Sequence, residues 1–371
     1  MFYFTGARER NEVRLKGTYA RGSAVGEIVI RNDHGTLKGR GTIHGIAVTL
    51  VGQRPLQRPS AAPVVHEFEP TVFWSTFSGA LPPALHVFPG DTVRTKTVDS
   101  AGLDEHETPR VLPASNPQTG PFYIEGAMPG DTLAVHFNKI RPNRNSATQY
   151  RNAIDPRILQ PFDTPAHIEG WSHTWTLDRE KGIATPDGAS EKLKNFSVKL
   201  EPMLGCVSVA PYWNQAISTS ELGNWGGNLD YNQIREGVTL YLPVYQAGAQ
   251  LMIGDGHARQ GDGEITGQGL ETSMDVEFTV DLLRDQYMNQ PWAENDDYIM
   301  VSGIDGSLTT AMQAATSGLS SWLQSHYGLN AAEIATVLAN TVQYDFAEGV
   351  DLHIHMVAKI RKDVLSELPK L

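Results

Sequence analysis

Residues Met274–Asp281 read MDVEFTVD. Strict alternation puts Met274, Val276, Phe278 and Val280 on one face, the pattern of a strand that buries one side in a core. The same reading extends outward. After MPGDTL (128–133), Leu133, Val135 and Phe137 alternate with Ala134, His136 and Asn138, a second half-buried strand. FPGDTV (88–93) and MPGDTL are one device used twice, with Pro-Gly suited to the centre of a type II turn and a strand running on from it. Asp91 and Asp131 in those turns read as turn caps. YLPVYQAGAQLMI, ending at 253, is another apolar run rich in strand formers. Toward the C-terminus the period changes. Leu308, Met312, Ala315, Leu319, Trp322 and Leu323 follow helical spacing after Ser307, and NAAEIATVLANTV carries Asn330 and Glu333 in the positions of a capping box. LHIHMVAKI then returns to alternation, with His353 and His355 on a face expected to meet solvent or a second subunit. The fold expected is mainly β, a β-sandwich or irregular barrel body, with a C-terminal α/β part built on a helix pair.

Composition agrees with a turn-rich β protein: 35 Gly and 22 Pro in 371 residues, with 19% charged side chains. The formal net charge of −12 argues against nucleic acid or an anionic membrane as a partner. The charge is uneven, since residues 1–60 hold ten Lys/Arg against four Asp/Glu. Residues 1–55 read as a separate antiparallel meander of unknown role. Residues 56–63, between Pro55, Pro59 and Pro63, read as a linker, and 64–371 as the main domain. The single cysteine, Cys206 in GCVSVAP, excludes an internal disulfide and reads as a buried small hydrophobe. With no membrane-spanning run and no secretory leader, the sequence reads as soluble and cytoplasmic, or periplasmic or secreted if an upstream signal is missing. Residues 141–200, with Trp171, His173 and Trp175, read as a long polar excursion rather than a lid.

Chemistry concentrates in turns. GDGHARQGDGE (254–264) offers Asp255, His257, Asp262 and Glu264 among glycines at a strand end, a set that can aim oxygen and nitrogen at one cation. VDSAGLDEHE (98–107) carries Asp99, and NWGGNLDYNQI (224–234) carries Asn228 and Asp230. In NPQTGPFYIEGAMPGD (116–131), Glu125 lies in an apolar setting where a buried carboxylate needs a partner or a metal. Converging acids would repel one another unless a cation or raised pKa values relieved them. Lone histidines at 34, 66 and 86 read as surface or satisfied groups, and Gly226 and Gly227 as turn formers.

NPQTGPFYIEGAMPGDTLAV, GGNLDYNQIREGVTLYLPVYQAGAQLMIGD, GDGHARQGDGEITGQGLE and WSTFSGALPPALHVFPGDTVRTKTVDSAG resemble the acetamidase/formamidase family of amide hydrolases, over roughly residues 64–360. The resemblance implies hydrolysis of a short amide such as formamide or acetamide to a carboxylate and ammonia, a homo-oligomer and a divalent metal. The family pattern falls on Asp99, Glu125, Asn228, Asp230, Asp255, His257, Gln260, Asp262 and Glu264. DSAGLDEHE departs from the Gly-Gly-Gln type of continuation, which leaves the choice of amide open.

The mechanism expected is a metal-activated water. His257, Asp99 and one of Asp255 or Glu125 hold Zn²⁺, with Ca²⁺ the rival because oxygen ligands outnumber imidazoles. Glu125 or Glu264 moves the proton, and Asn228 supports the oxyanion. Ser320 and Ser321 fall within a helix pattern and Cys206 in an apolar run, which disfavours serine or cysteine nucleophiles. Two readings remain beside it: a β-sandwich binding module that a metal only stiffens, and a glycoside hydrolase with two carboxylates across a tryptophan-lined groove.

Overall fold

The computed structural model describes the chain outside residues 1, 10, 11, 20–23, 34, 35, 54, 55, 57, 59–61, 113, 114, 152, 161–172, 285, 370 and 371. His34, Pro55, Pro59 and Trp171 therefore lie outside the described residues. The chain divides into two compact units, Met1–Pro59 and Ser60–Leu371.

The first unit is a five-stranded antiparallel meander, Phe2–Glu9, Glu12–Tyr19, Ala24–Asp33, Thr36–Ile43 and Ile46–Gln53, each strand paired with the next. Its register aligns Val13 with Ile30, and Leu15 with Ile28, so these apolar positions share a face. Arg14, Lys16, Arg31, Lys38 and Arg40 fall on the opposite face, as alternation requires. Ile28 is only 2% exposed, whereas Ile46 and Val51 of the edge strand stay open to solvent.

The second unit is built on two large sheets. A nine-stranded sheet runs in the order Gln343–Glu348, Ile354–Arg361, Tyr298–Asp305, Trp292–Glu294, Thr239–Pro243, Thr132–Pro142, Met274–Leu283, Thr92–Lys96 and Val65–Glu67. A seven-stranded sheet centres on Met203–Ser208, Leu251–His257 and Gln118–Ile124. One core joins them: Leu133, Val135, Phe137, Val276, Phe278 and Val280 of the first meet Phe122, Ile124, Leu204, Val207, Leu251 and Ile253 of the second. The body is a sandwich, and the alternating residues of 133–137 and 274–280 are its inner face. Both Pro-Gly turns have the left-handed glycine that a type II turn needs, with φ of 89° at Gly90 and 101° at Gly130. Asp91 accepts from the backbone N–H of Val64, and Asp131 from that of Met128.

Helices α1 (Leu308–Tyr327) and α2 (Ala331–Thr341) form the expected pair. Ser307 caps α1, and Asn330 with Glu333 forms a capping box on α2. The buried face of α1 is turned from the one expected: Ala311, Ala315, Gly318, Leu319, Trp322 and Leu323 are inside, while Leu308 and Met312 are exposed. The cause is a close approach to the sheet. A Cβ at Gly303 would lie 2.1 Å from the Ala311 carbonyl oxygen, so only small residues fit on that side of the first turns.

The strand Ile354–Arg361 corrects a second expectation. It is covered on both faces, with Val357 in the main core and Ala358 and Ile360 in the core beneath the helices. His355 is fully buried, not solvated. Its Nδ1 donates to the Leu229 carbonyl (2.7 Å) and its Nε2 accepts from Ser302 (2.9 Å), which satisfies a neutral ring. Burial pushes its pKa down to about 4.

The excursion 141–200 forms a four-stranded sheet, Ser146–Thr148, Thr174–Asp178, Ile183–Pro186 and Val198–Lys199. Its own small core joins Ala147, Trp175, Leu177 and Ala184 to Ala258 and Leu270 of the body. Cys206 is buried beside Phe77 and Met252.

Candidate metal centre

The strand Leu251–His257 ends on Asp255 and His257, both buried. Beyond it the glycine-rich turn brings Glu264 back, and the bridge between His257 and Glu271 adds a further acid. Asp230 arrives from the turn after Gly226–Asn228. Glu348 ends the strand Gln343–Glu348, and Asp351 arrives from the turn that follows it. Three of these residues hold left-handed backbone without being glycine, Asp230 (φ 40°), Asp255 (57°) and Glu264 (43°), as does Asn116 (47°), whose side chain hydrogen-bonds Asp255. Each costs roughly 1–2 kcal/mol. Such clustered strain is a feature of functional sites.

His257 is the hub. Its Nε2 lies 3.1 Å from Glu271 Oε1 and 3.5 Å from Asp255 Oδ1, and its Nδ1 lies 4.0 Å from Asp230 Oδ1. Two groups of three ligands share it, Asp230–His257–Glu264 and Asp255–His257–Glu271, each with ligand atoms within 4.8 Å of one another. Gln260 distinguishes the two ring nitrogens. Its Nε2 donates to the Asp230 carbonyl, so its Oε1, 2.8 Å from His257 Nδ1, accepts from that nitrogen. Nδ1 therefore carries a proton in either charge state, and Nε2, which faces Asp255 and Glu271, is the nitrogen free to exchange its proton for a cation.

The acids of the cluster outnumber the one imidazole among them. Burial, and then the charge of a neighbouring acid, pushes Asp230 and Glu264 well above the usual carboxyl range. Burial likewise raises Glu271. Glu348 is pushed up to about 7 and Asp351 to about 6, again by burial first. Burial opposes a charged His257, yet Glu271 and Asp255 outweigh it and hold the imidazole well above its ordinary value. Asp230 Oδ1 and Glu271 Oε2 are buried without a hydrogen-bond partner. Space is reserved as well. A Cβ at Gly205 would stand 2.3 Å from Asp230 Oδ1 and 2.9 Å from Asp255 Oδ2. Unpaired buried oxygens, mutual repulsion and a bare backbone facing them fit a divalent cation.

A cavity of about 520 Å³ opens onto this cluster, lined among others by Asn116, Tyr150, Arg151, Asn228, Gln268 and Asp351, and by no tryptophan among the described residues. Amide side chains fasten the acids. Asn116 Nδ2 donates to Asn228 Oδ1 (2.6 Å) and Asp255 Oδ2 (3.0 Å), and Gln118 Nε2 donates to Asn116 Oδ1 (2.9 Å). Asn228 Nδ2 donates in turn to Asp230 (2.6 Å) and Asp351 (3.0 Å).

Of the residues singled out in the sequence, Asp255, His257, Glu264 and Asn228 come together here, along with Asp230 and Gln260. Asp99 and Glu125 do not join them. Asp99 is fully buried but committed, with Oδ2 2.6 Å from Arg144 Nη2 and Oδ1 accepting from Leu103 N. Glu125 lies beyond the far end of the strand Gln118–Ile124. At ~3.3 Å per residue that is about 20 Å from the Gln118 end, which is the end at the cluster. Its buried carboxylate is satisfied by His86 Nδ1 at 2.5 Å. Asp262 faces outward and accepts from Asn232. Glu271, Glu348, Asp351 and Asn116 carry site roles that sequence reasoning missed. Gly269, two residues before Glu271, and Gly349, directly after Glu348, were the local signal.

Comparison with known proteins gives the same direction. Residues 209–344 match the model of the Acetamidase/Formamidase family. A formamidase of Methylophilus methylotrophus is 41% identical over 257 residues, covering 55% of this chain and 62% of that one. A provisionally named formamidase of Schizosaccharomyces pombe is 51% identical over 193 residues, 40% of this chain and 47% of that one. The chain thus spans between about half and three-fifths of the length of the curated relatives it matches. The crystal structure of an acetamidase from Yersinia enterocolitica superposes with a TM-score of 0.69 at 27% identity, covering 84% of this chain and 96% of that one.

Proposed function

Because the chain belongs to the acetamidase/formamidase family, we propose that it hydrolyses a short-chain amide of the formamide or acetamide type to a carboxylate and ammonia. The observation that carries this reading is the convergence of Asp230, Asp255, Glu264 and Glu271 on His257 beside an open cavity, with Glu348 next to Glu264 and Asp351 held by Asn228. The tautomer set by Gln260 favours Asp255, His257 Nε2 and Glu271 as the residues that hold a divalent cation, with Asp230 and Glu264 next to them. When bound, such a cation supplies Lewis acidity and lowers the pKa of a water toward ~7. One imidazole among oxygens suits zinc, and the surplus of oxygens suits calcium.

The chain's own residues do the rest. Amide nitrogen leaves only when protonated, so a carboxyl must hold a proton near it. Glu264 lines the cavity and is backed by Glu348, and we assign it that role. Asn116 and Asn228 orient Asp255, Asp230 and Asp351. Asn228 acts through the acids, since both of its N–H bonds are committed to them. Among the described residues the wall holds no tryptophan, which does not favour a sugar platform. Cys206 is fully buried behind the cluster, where burial and then the charge of Asp255 raise its thiol well above its ordinary value, and Ser320–Ser321 lie on α1. A homo-oligomer belongs to this reading as well.

Ammonia release from formamide, acetamide and propionamide, by protein stripped of metal and then reloaded with Zn²⁺ or Ca²⁺, tests the reading. Activity restored only by a cation supports it. Activity indifferent to stripping removes the cation from the chemistry, and silence on all three amides refutes the substrate class.

A further inference from the structure

From Gly306 to Tyr344 the chain runs 39 residues with one Asp, Glu, Lys or Arg among them, Glu333. At the overall 19% about seven would stand there, and an exposed helical surface ordinarily carries charges of both signs. Glu333 is committed to the capping box of α2, and the one imidazole, His326, stacks on Trp322 with ring centroids 4.1 Å apart. Burial does not explain the lack of charge. Both helices pack on the strand Ile354–Arg361, yet Leu308 is 51% and Met312 41% exposed, and α2 buries Leu338 alone.

The exposed face has a pattern. Gln313, Ser317, Ser321 and Gln324 fall at i, i+4, i+8 and i+11, a single stripe along α1. All four are exposed and have no hydrogen-bond partner among the described residues. A groove of about 550 Å³ runs between the helices, lined by Ser320, Ser321 and Gln324 of α1 and by Ala331, Ala335 and Ala339 of α2. Leu308 and Met312 form an exposed apolar ridge that leads, one turn on, to Thr316 in the groove wall.

Self-complementarity decides what fits this face. Across a two-fold axis one patch supplies both sides, so each group meets itself or its near neighbours. A charged side chain would meet its like, whereas hydroxyls and carboxamides both donate and accept and so pair with their own copies. A chain of net charge −12 meets itself at least cost across a face that carries none. A lipid surface is a poorer occupant, since helices that lie on membranes carry Lys or Arg on the polar face. The area suffices. At ~1.5 Å rise and ~11 Å width, the 20 residues of α1 and 11 of α2 present roughly 500 Å² in projection. Two copies then bury about 1,000 Å² before side-chain relief is counted, the threshold for a specific interface.

We propose that α1 and α2 form a two-fold contact with a second copy of this chain, the Leu308–Met312 ridge of each seated in the groove of the other. This gives the homo-oligomer of the reading above its surface, and it needs nothing from the amide chemistry.

The test is mass in solution, by light scattering and sedimentation velocity on the full chain from about 1 to 100 μM. Wild-type protein should show two copies of 40.7 kDa, or an even number of them. Ser321→Glu with Ala335→Glu sets like charges face to face and should weaken the contact at least about 100-fold, with the circular dichroism of the helices unchanged. Ser321→Lys with Ala335→Lys should do the same, and mixing the Glu and Lys forms should restore the assembly. Ser190→Glu, on the exposed excursion, should leave it intact. A monomer throughout, or an odd number of copies, overturns the proposal and the homo-oligomer of two-fold type with it. An even assembly that ignores both double variants, or one that their mixture fails to restore, overturns the assignment of the surface alone. Because mass and not activity is read, silence on every amide leaves this inference standing.

Discussion

Asp99→Asn separates a ligand from a structural anchor. Sequence reasoning places Asp99 on the metal, whereas in the structure its carboxylate neutralises Arg144 at 2.6 Å, with both side chains nearly inaccessible at 0% and 4% exposure. The asparagine keeps an acceptor for Leu103 N but removes the charge opposite the guanidinium. Arg144 retains the carbonyls of Asp104 (3.2 Å), Ser146 (3.2 Å) and Glu271 (3.4 Å), none of which carries a charge. Breaking a buried pair on one side costs about 3–5 kcal/mol. For a large domain that lowers Tm by roughly 6–10 °C. Thermal unfolding followed in chelator and in saturating cation, with bound metal counted by atomic emission, reads both quantities. The expected result is a large drop in Tm under both conditions with cation stoichiometry intact. Unchanged Tm together with lost cation would refute the argument and return Asp99 to the ligand set.

Two further outcomes follow from the cluster. Gly205→Ala drives a methyl toward Asp230 and Asp255, and should weaken cation affinity at least about tenfold, or ~1.4 kcal/mol, by calorimetric titration; wild-type affinity would show that the space serves no ligand. The cation-free protein should lose stability as pH rises from about 5 to 7.5. Glu348 (raised from 4.5 to about 7) and Asp351 (from 3.8 to about 6) stay protonated in the native state where the unfolded chain is ionised. His257, held above 6.5, acts in the same sense, since its stabilising charge is lost as pH climbs through the folded value. The Glu348 displacement alone is worth about 3 kcal/mol. Urea midpoints at the two pH values should fall in chelator and not in saturating cation, a comparison in which the opposing contribution of His355 cancels. Parallel behaviour would sink the idea.

What the sequence made legible was local. The strands through Leu133–Phe137 and Met274–Val280 were readable because one face of each is core and the other is not. The capping box at Asn330 and Glu333 was readable because its partners are three residues apart. Asp255, His257 and Glu264 were readable because one glycine-rich turn holds them all. The facing side of α1 was not, because it depends on how closely Gly303 lets the helix approach. Glu125 and Asp99 show the limit of a sound inference. A carboxylate in apolar surroundings does announce a partner. The partner's identity, His86 for one and Arg144 for the other, is set across 39 and 45 residues by tertiary structure. Glu271, Glu348 and Asp351 were missed for the same reason, since a nearby glycine marks a turn but does not say which distant acids that turn meets.

The cluster is drawn from stretches near 116, 230, 255–271 and 348–351, so no fragment of the sandwich contains it. A half-folded chain has nothing with which to grip an ion, and a folding chain must press like charges together to close the two sheets and the final turn. On the cation-binding proposal above, the ion would therefore join late, as a seal on a topology already chosen. How much native protein a cell recovers should then depend on the free cation present while the chain is folding, more than on what is added once folding has failed.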